Sequence, residues 1–318
     1  MKAAVLRRAI YGLPLAGGLI LTVLPPFLSS PLQSVMTKIL IFSIFAMSLD
    51  ILVGYAGLFS LGHAAFFGTA GYVTGIMMVK YGIVSFWITA PGGILAALVL
   101  APVLGFIALR VSHAYFLLVT FALGQLLFSV AWKWVSMTEG SDGIPGIGRP
   151  DLGLPGFRWN ATSFYYFVFL IFGLCFWALR RIIQSPFGRA LIGIRECELR
   201  AQCLGYNTWL YKYVAIIVAG VFAGVAGVLF AYHTGIMVPA HLGVLNSALV
   251  SLMVIIGGPG TLFGSVIGAA VIVLVEYFAN ILAPERWLLI LGACFVASVV
   301  YARGGIGIYM LKLWERYR

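Results

Sequence analysis

The sequence predicts an all-α polytopic membrane protein of about ten transmembrane helices, some of them broken at glycine-rich segments. Three observations carry this expectation. Of 318 residues, 62% are hydrophobic and only 9% are charged, with a mean hydropathy of +1.07. A soluble fold of this size could not cover its apolar surface with so few charges. Apolar runs of span length follow one another with mostly short connections. Glycine (38) and proline (13) are plentiful, as membrane helices tolerate. The net charge of +11 sits in the connections, so it reads as topology control and contact with anionic lipid rather than nucleic-acid binding.

The spans follow in order. Residues Ile10 to Leu28 form an apolar run behind Lys2, Arg7 and Arg8. It is long for a cleaved signal core and reads as an uncleaved first span. Val35 to Val53 is the second, with Lys38 near one end and Asp50 near the other. His63 to Val79 is short and glycine-rich, Ile83 to Leu109 is long, and Ser112 to Trp132 follows at once. Ala161 to Leu179 is the sixth and Tyr213 to Tyr232 the seventh. Val244 to Ile256 is short and ends at "GGPG". Thr261 to Leu282 carries Glu276, and Trp287 to Ala302 is the last.

Lys and Arg set the orientation. With the N-terminus inside, the inner connections hold fourteen of the 20 basic residues, and both termini are expected in the cytoplasm. The Gly/Pro-rich loop 133–160 is then external, and the basic connection 181–211 is cytoplasmic. No soluble domain fits between spans, so 1–318 reads as a single transmembrane domain. No P-loop, no nucleophile elbow and no metal-ligand spacing appears, which leaves no enzyme and no bound cofactor in prospect. Cys175, Cys197, Cys203 and Cys294 read as reduced thiols of small apolar character.

Two segments align without a gap, "SLDILVGYAG" (Ser48 to Gly57) and "SLMVIIGGPG" (Ser251 to Gly260). Each puts glycines where a span should continue. Glycine interrupts a helix at about 1 kcal/mol relative to alanine, and in lipid the freed backbone groups must find partners. Glycines in spans serve either close helix packing or a broken backbone that lines a path. Gly220, Gly224 and Gly227 recur at one-turn spacing and read as packing. Gly54 to Gly62, within "GYAGLFSLGHAAFFGTAGY", reads as a broken helix. Both copies should run in the same direction through the membrane. Asp50 and Glu276 are the acids expected within spans: Asp50 lies either against a cavity or solvated at the inner membrane edge, and Glu276 near the outer rim. His63 is expected to bond the broken backbone.

The connection "SPFGRALIGIRECELRAQCLGYN" (Ser185 to Asn207) reads as one short amphipathic helix. Leu191, Ile194, Leu199 and Leu204 recur at helical spacing, Arg189, Arg195, Glu196, Glu198 and Arg200 take other faces, and Gly205 stops it. It lies either on anionic lipid or in a groove of a partner.

The same connection resembles the cytoplasmic coupling loop of ATP-binding-cassette (ABC) importer permeases, with Ala201 and Gly205 at the motif positions and Arg200 in place of a second alanine. "GYAGLFSLGHAAFFGTAGY", "SHAYFLLVTFALGQL", "TEGSDGIPGI" and "IIGGPGTLFGSVIGA" resemble the branched-chain amino acid permeases of that class, in order and over nearly the whole chain. The resemblance implies a permease subunit of the bacterial inner membrane. Its partners would be a second related permease, two ATP-binding subunits and an external solute-binding protein. ATP would be used by the partners alone. Gly57, Ser60, Gly62, His63, Phe66 and Tyr115 would line the substrate pathway. Arg189, Arg195, Glu196, Glu198, Ala201 and Gly205 would couple to the ATPase. A permease for urea or short amides in the same class, or an ion-coupled secondary transporter, is the alternative.

Overall fold

A computed structural model of the chain describes residues 29–111, 114–153, 159–282 and 284–286, with isolated positions at 289, 292, 293 and 296. The expected first span, nearly all of the last and both termini lie outside these residues. Among the described residues the protein is almost wholly helical. Six helices are long and apolar enough to cross a membrane, and two shorter apolar helices accompany them. They match the eight inner spans expected from the sequence.

Helix α1 (Ser30–Asp50) is the centre of the bundle. Every residue from Ile39 to Leu52 is buried, so this helix is enclosed on all sides by other spans, and it is predominantly apolar as such a position requires. It packs against α5 (Ala161–Gln184), α8 (Thr208–Thr234), α9 (Val244–Gly257) and α10 (Leu262–Leu282). Around it lie α2 (Ala64–Val79), α3 (Phe86–Ala108) and α4 (Ala114–Lys133). Helix α3 turns Trp87, Leu95, Val99 and Val103 outward, where a soluble protein would place charges.

Small residues bring the central helices together. A methyl group added at Gly220 or Gly224 of α8 would run into the side chains of Ala101 and Ala97 on α3, and one at Gly227 would overlap the Phe67 carbonyl of α2. These glycines therefore set close helix approach, as their spacing suggested. Thr89 of α3 and Tyr232 of α8 exchange a hydrogen bond of 2.7 Å across the same contact.

One end of the bundle is closed by the long Gly/Pro loop. Strand β1 (Ile144–Pro145) pairs antiparallel with β2 (Ile236–Met237), and the Ile147 amide donates to the Gly235 carbonyl at 2.9 Å. The Phe86 amide donates to Asp151 O at 2.8 Å. Near this end Lys38 and Glu276 form an ion pair of 2.8 Å that ties α1 to α10. We call it the loop end.

Two connections turn back inside the bundle. Helix α1 runs on through a π-helical turn, Ile51–Ala56, and stops at Gly57 (φ 72°). The chain is then non-helical until α2 starts at Ala64. Helix α8 stops at Gly235 (φ 73°), and α9 starts at Val244. The first turns of α2 and α9 meet in the core, where the Ala64 amide donates to Ser247 Oγ at 3.0 Å.

Gly227→Leu should force α8 away from α2 and destabilise the fold by about 1–3 kcal/mol. Gly173→Leu, at a site with open space around the Cβ position, should be nearly neutral. Thermal unfolding of the purified proteins in detergent reads the difference.

Candidate functional site

The two aligned glycine segments meet at the end of the bundle opposite the loop. Helix α1 reaches this end at Gly54, and the turn after α9 reaches it at Gly260 (φ 83°). A Cβ on Gly54 would collide with the Gly260 amide and with Asp50 Oδ1, so the two backbones touch directly. Both segments run toward this end, as expected. Asp50, 0% exposed, accepts a hydrogen bond of 2.7 Å from the Gly260 amide. Its carboxyl is thus inside the joint and not solvated at a membrane edge.

Beyond Gly57 a non-helical stretch leads back into the bundle, and several of its amides find partners. The Leu58 amide donates to Leu52 O at 2.8 Å. The Leu61 amide donates to Thr120 Oγ1 of α4, and the Gly62 amide to Ser60 Oγ, each at 3.3 Å. A side chain at Gly62 would overlap the Thr120 carbonyl, so glycine lets this stretch lie flat on α4. His63, 0% exposed, pairs with Ser48 Oγ at 2.8 Å and stacks on Phe45. Its partner is a side chain of α1 and not the broken backbone that the sequence suggested. Ser48, about two turns before the break at Gly57, could have pointed to this pairing.

Ser60, Gly62 and Phe66 line one small cavity together with Leu104 and Gly105 of α3, Phe116 and Thr120 of α4 and Ile216 of α8. Its volume is ≈ 20 Å³, room for about one water molecule and none for an amino acid. The other expected pathway residues lie elsewhere. Tyr115 is 67% exposed on the outer face of α4; Phe116, its neighbour, faces inward instead. Gly57 lies under the side-chain stem of Arg195, and His63 is enclosed behind Phe66 and Phe45.

The polar connection forms two helices where the sequence suggested one. Helix α6 (Pro186–Glu196) ends at Cys197, whose backbone is extended (φ −156°, ψ 96°), and α7 (Glu198–Cys203) follows at a new angle. The break reassigns the apolar stripe. Leu191 and Ile194 face the bundle, but Leu199 and Leu204 are 74% and 72% exposed, and Ala201 is the buried residue of α7. Gly205 (φ 85°) ends the pair. Glu198 pairs with Lys212 at 2.5 Å. Arg195 turns inward: its guanidinium donates to the Gly54 carbonyl. On the outer side, Arg189, Ala190, Gly193, Glu196, Arg200 and Leu204 line an open groove of about 460 Å³. Leu204 and Arg200 belong to it although neither was among the residues expected to couple.

Among the described residues no cluster of His, Cys, Asp or Glu could hold a metal ion.

Comparison with known proteins agrees with this geometry. The profile of a family described as "Branched-chain amino acid transport system / permease component" matches residues 32–299. The high-affinity branched-chain amino acid transport system permease protein LivM of Escherichia coli is 30% identical over 311 residues, covering 91% of this chain and 73% of the relative. A probable branched-chain amino acid transport permease LivM of Methanocaldococcus jannaschii is 23% identical, covering 76% of this chain and 79% of its own. LivH of Escherichia coli, a permease of the same high-affinity system, is 24% identical over 254 residues, covering 75% and 82%.

Ser48→Ala should leave His63 without its buried partner and cost about 1–3 kcal/mol. Adding His63→Phe should recover part of that loss. The two sites should couple by more than about 0.5 kcal/mol in a double-mutant cycle of unfolding midpoints.

Proposed function

Since the chain belongs to the branched-chain amino acid transport permease family, we propose that it is a membrane subunit of an ABC importer that carries branched-chain amino acids across the bacterial inner membrane. It acts with a second related permease, two ATP-binding subunits and an external solute-binding protein. Both termini and the α6–α7 pair face the cytoplasm in this proposal, and the folded loop 133–160 faces the binding protein. The permease holds no nucleotide; the ATP-binding subunits hydrolyse ATP, and this chain converts their movement into access.

The observation that carries this is the α6–α7 pair. It packs on the bundle through Leu191 and Ile194, offers an open groove edged by Arg189, Glu196 and Arg200 with Leu204 at its rim, and touches the broken helix on its inner side. A surface helix serving only to grip lipid would not need a polar groove on one side and a backbone clasp on the other. The small cavity supports a gate that is shut in this conformation, with Ser60, Gly62 and Phe66 at its constriction.

The two acids within the spans are tied to structural partners, which speaks against an ion-coupled carrier: Glu276 pairs with Lys38, and one oxygen of Asp50 accepts from the Gly260 amide. Selectivity falls to the binding protein and to the apolar lining of the opened path. Leucine-type side chains suit that lining better than urea does.

In proteoliposomes holding the whole complex, labelled leucine should accumulate with ATP and labelled urea should not. Leu204→Asp, at an exposed groove position, should cut ATP-driven leucine uptake by about tenfold or more while the subunit still inserts. Uptake driven by a sodium or proton gradient without ATP would overturn the proposal.

A further inference from the structure

We propose that Arg195 is a positioning residue, the clasp through which α6 holds both glycine breaks in register and moves them together. This rests on the importer reading above and adds the internal half of the transmission to it.

Three contacts made by one side chain support the clasp. The stem of Arg195 lies against Gly57, the left-handed residue at which the broken helix ends: a Cβ built there would meet Arg195 Cγ at 2.8 Å. The guanidinium donates to the Gly54 carbonyl, one of the orphan carbonyls of a helix terminus. The same Nη1 is the side-chain atom nearest the Gly260 Cβ position, at 3.4 Å. From the other side Asp50 holds the Gly260 amide at 2.7 Å. Gly54 and Gly260 therefore sit between a cation from the polar connection and an anion from the central helix.

The geometry gives this arrangement a mechanical consequence. Helix α6 and the π-helical turn at the end of α1 are in direct contact, and Arg195 bonds a backbone atom next to the hinge rather than a side chain that could swing free. A shift of α6 pulls the Gly54 carbonyl. The chain beyond the hinge leads within a few residues to Ser60 and Gly62, which line the constriction. A shift carried to Gly260 reaches α9 and α10, whose backbones touch at Gly257 and Gly264. Of the cations in the α6–α7 pair, Arg189 and Arg200 line the outer groove, while Arg195 faces the hinge. One face of the pair meets the driver and the other meets the gate.

The test uses the complete importer in proteoliposomes and reads two rates, ATP hydrolysis stimulated by the loaded binding protein and uptake of labelled leucine. Arg195→Met keeps a stem over Gly57 and removes the donor. Leucine taken up per ATP hydrolysed should fall about tenfold while hydrolysis continues. Arg195→Lys, which restores one cationic donor, should recover most of the ratio. An unchanged ratio in Arg195→Met overturns the clasp, and so does a fall of both rates in step, as a poorly folded subunit would give. Failure of Arg195→Lys to recover the ratio overturns it as well. Leu204→Asp separates the two proposals. If that variant transports normally, the outer groove is not where the driver docks; if the wild-type complex takes up no leucine with ATP, the importer reading fails and the clasp with it. If it stops uptake while Arg195→Met keeps its ratio, the clasp alone fails.

Discussion

A helix that stops inside a membrane leaves backbone groups that lipid cannot satisfy, and the organisation of this protein follows from that constraint. Each unpaired group would cost several kcal/mol. The break after Ala56 can exist because Thr120, Ser60 and Arg195 supply hydrogen bonds to Leu61, Gly62 and Gly54 in turn. Helix α4, otherwise loosely held with much of its surface outward, is fixed to the bundle partly by answering this need. The start of α2 is answered in the same way by Ser247 of α9. Broken elements therefore find their partners in one another, and the bundle interior becomes a set of joints rather than a stack of uninterrupted rods.

Glycine serves two distinct ends in this fold. In α8 it removes bulk so that whole helices touch, with Gly220, Gly224 and Gly227 against Ala101, Ala97 and the Phe67 carbonyl. Such contacts are won by dispersion and by many small fits, and they favour rigidity. At Gly57 and Gly260 the backbone takes positive φ, a conformation that would strain most other residues. These positions are turns at the ends of helices and can act as hinges. The rigid glycines lie in the middle of the bundle and the hinge glycines lie together at one end.

Charge is used sparingly and almost entirely for connection. Lys38 and Glu276 tie α1 to α10 near the loop end, and Asp50 fixes the turn after α9 at the other. The ring of His63, whose nitrogen lies against Ser48, is packed among phenylalanines. Lys38, Glu276, Asp50 and His63 thus each hold a structural partner, as the cost of burying such groups favours. This suits the proposed passive conduit, whose proposed link to its partners is the polar connection between α5 and α8.

Much of this was legible in the linear chain. Composition indicated a membrane protein and the length of its apolar runs indicated helices, because a spanning helix needs about 20 apolar residues whereas a barrel strand needs only about ten. The runs of apolar residues located the spans, and the glycine clusters marked both breaks and the packing face of α8. Short-range rules also found the stop at Gly205 and the turn-rich loop after Lys133. The joint itself was hidden. That Asp50 would reach Gly260, or Arg195 the carbonyl of Gly54, depends on contacts between residues 210 and 141 positions apart, and no local pattern encodes them. The same holds for the choice of Phe116 over Tyr115 as the inward aromatic. Helical periodicity ran through Cys197 without a flaw, yet the chain bends there so that Ala201 can pack while Leu199 and Leu204 face out. Hydropathy and local sterics settle which segments are buried and where they can break. Only the assembled bundle decides which broken end answers which, because that is a matter of distance in space and not along the chain.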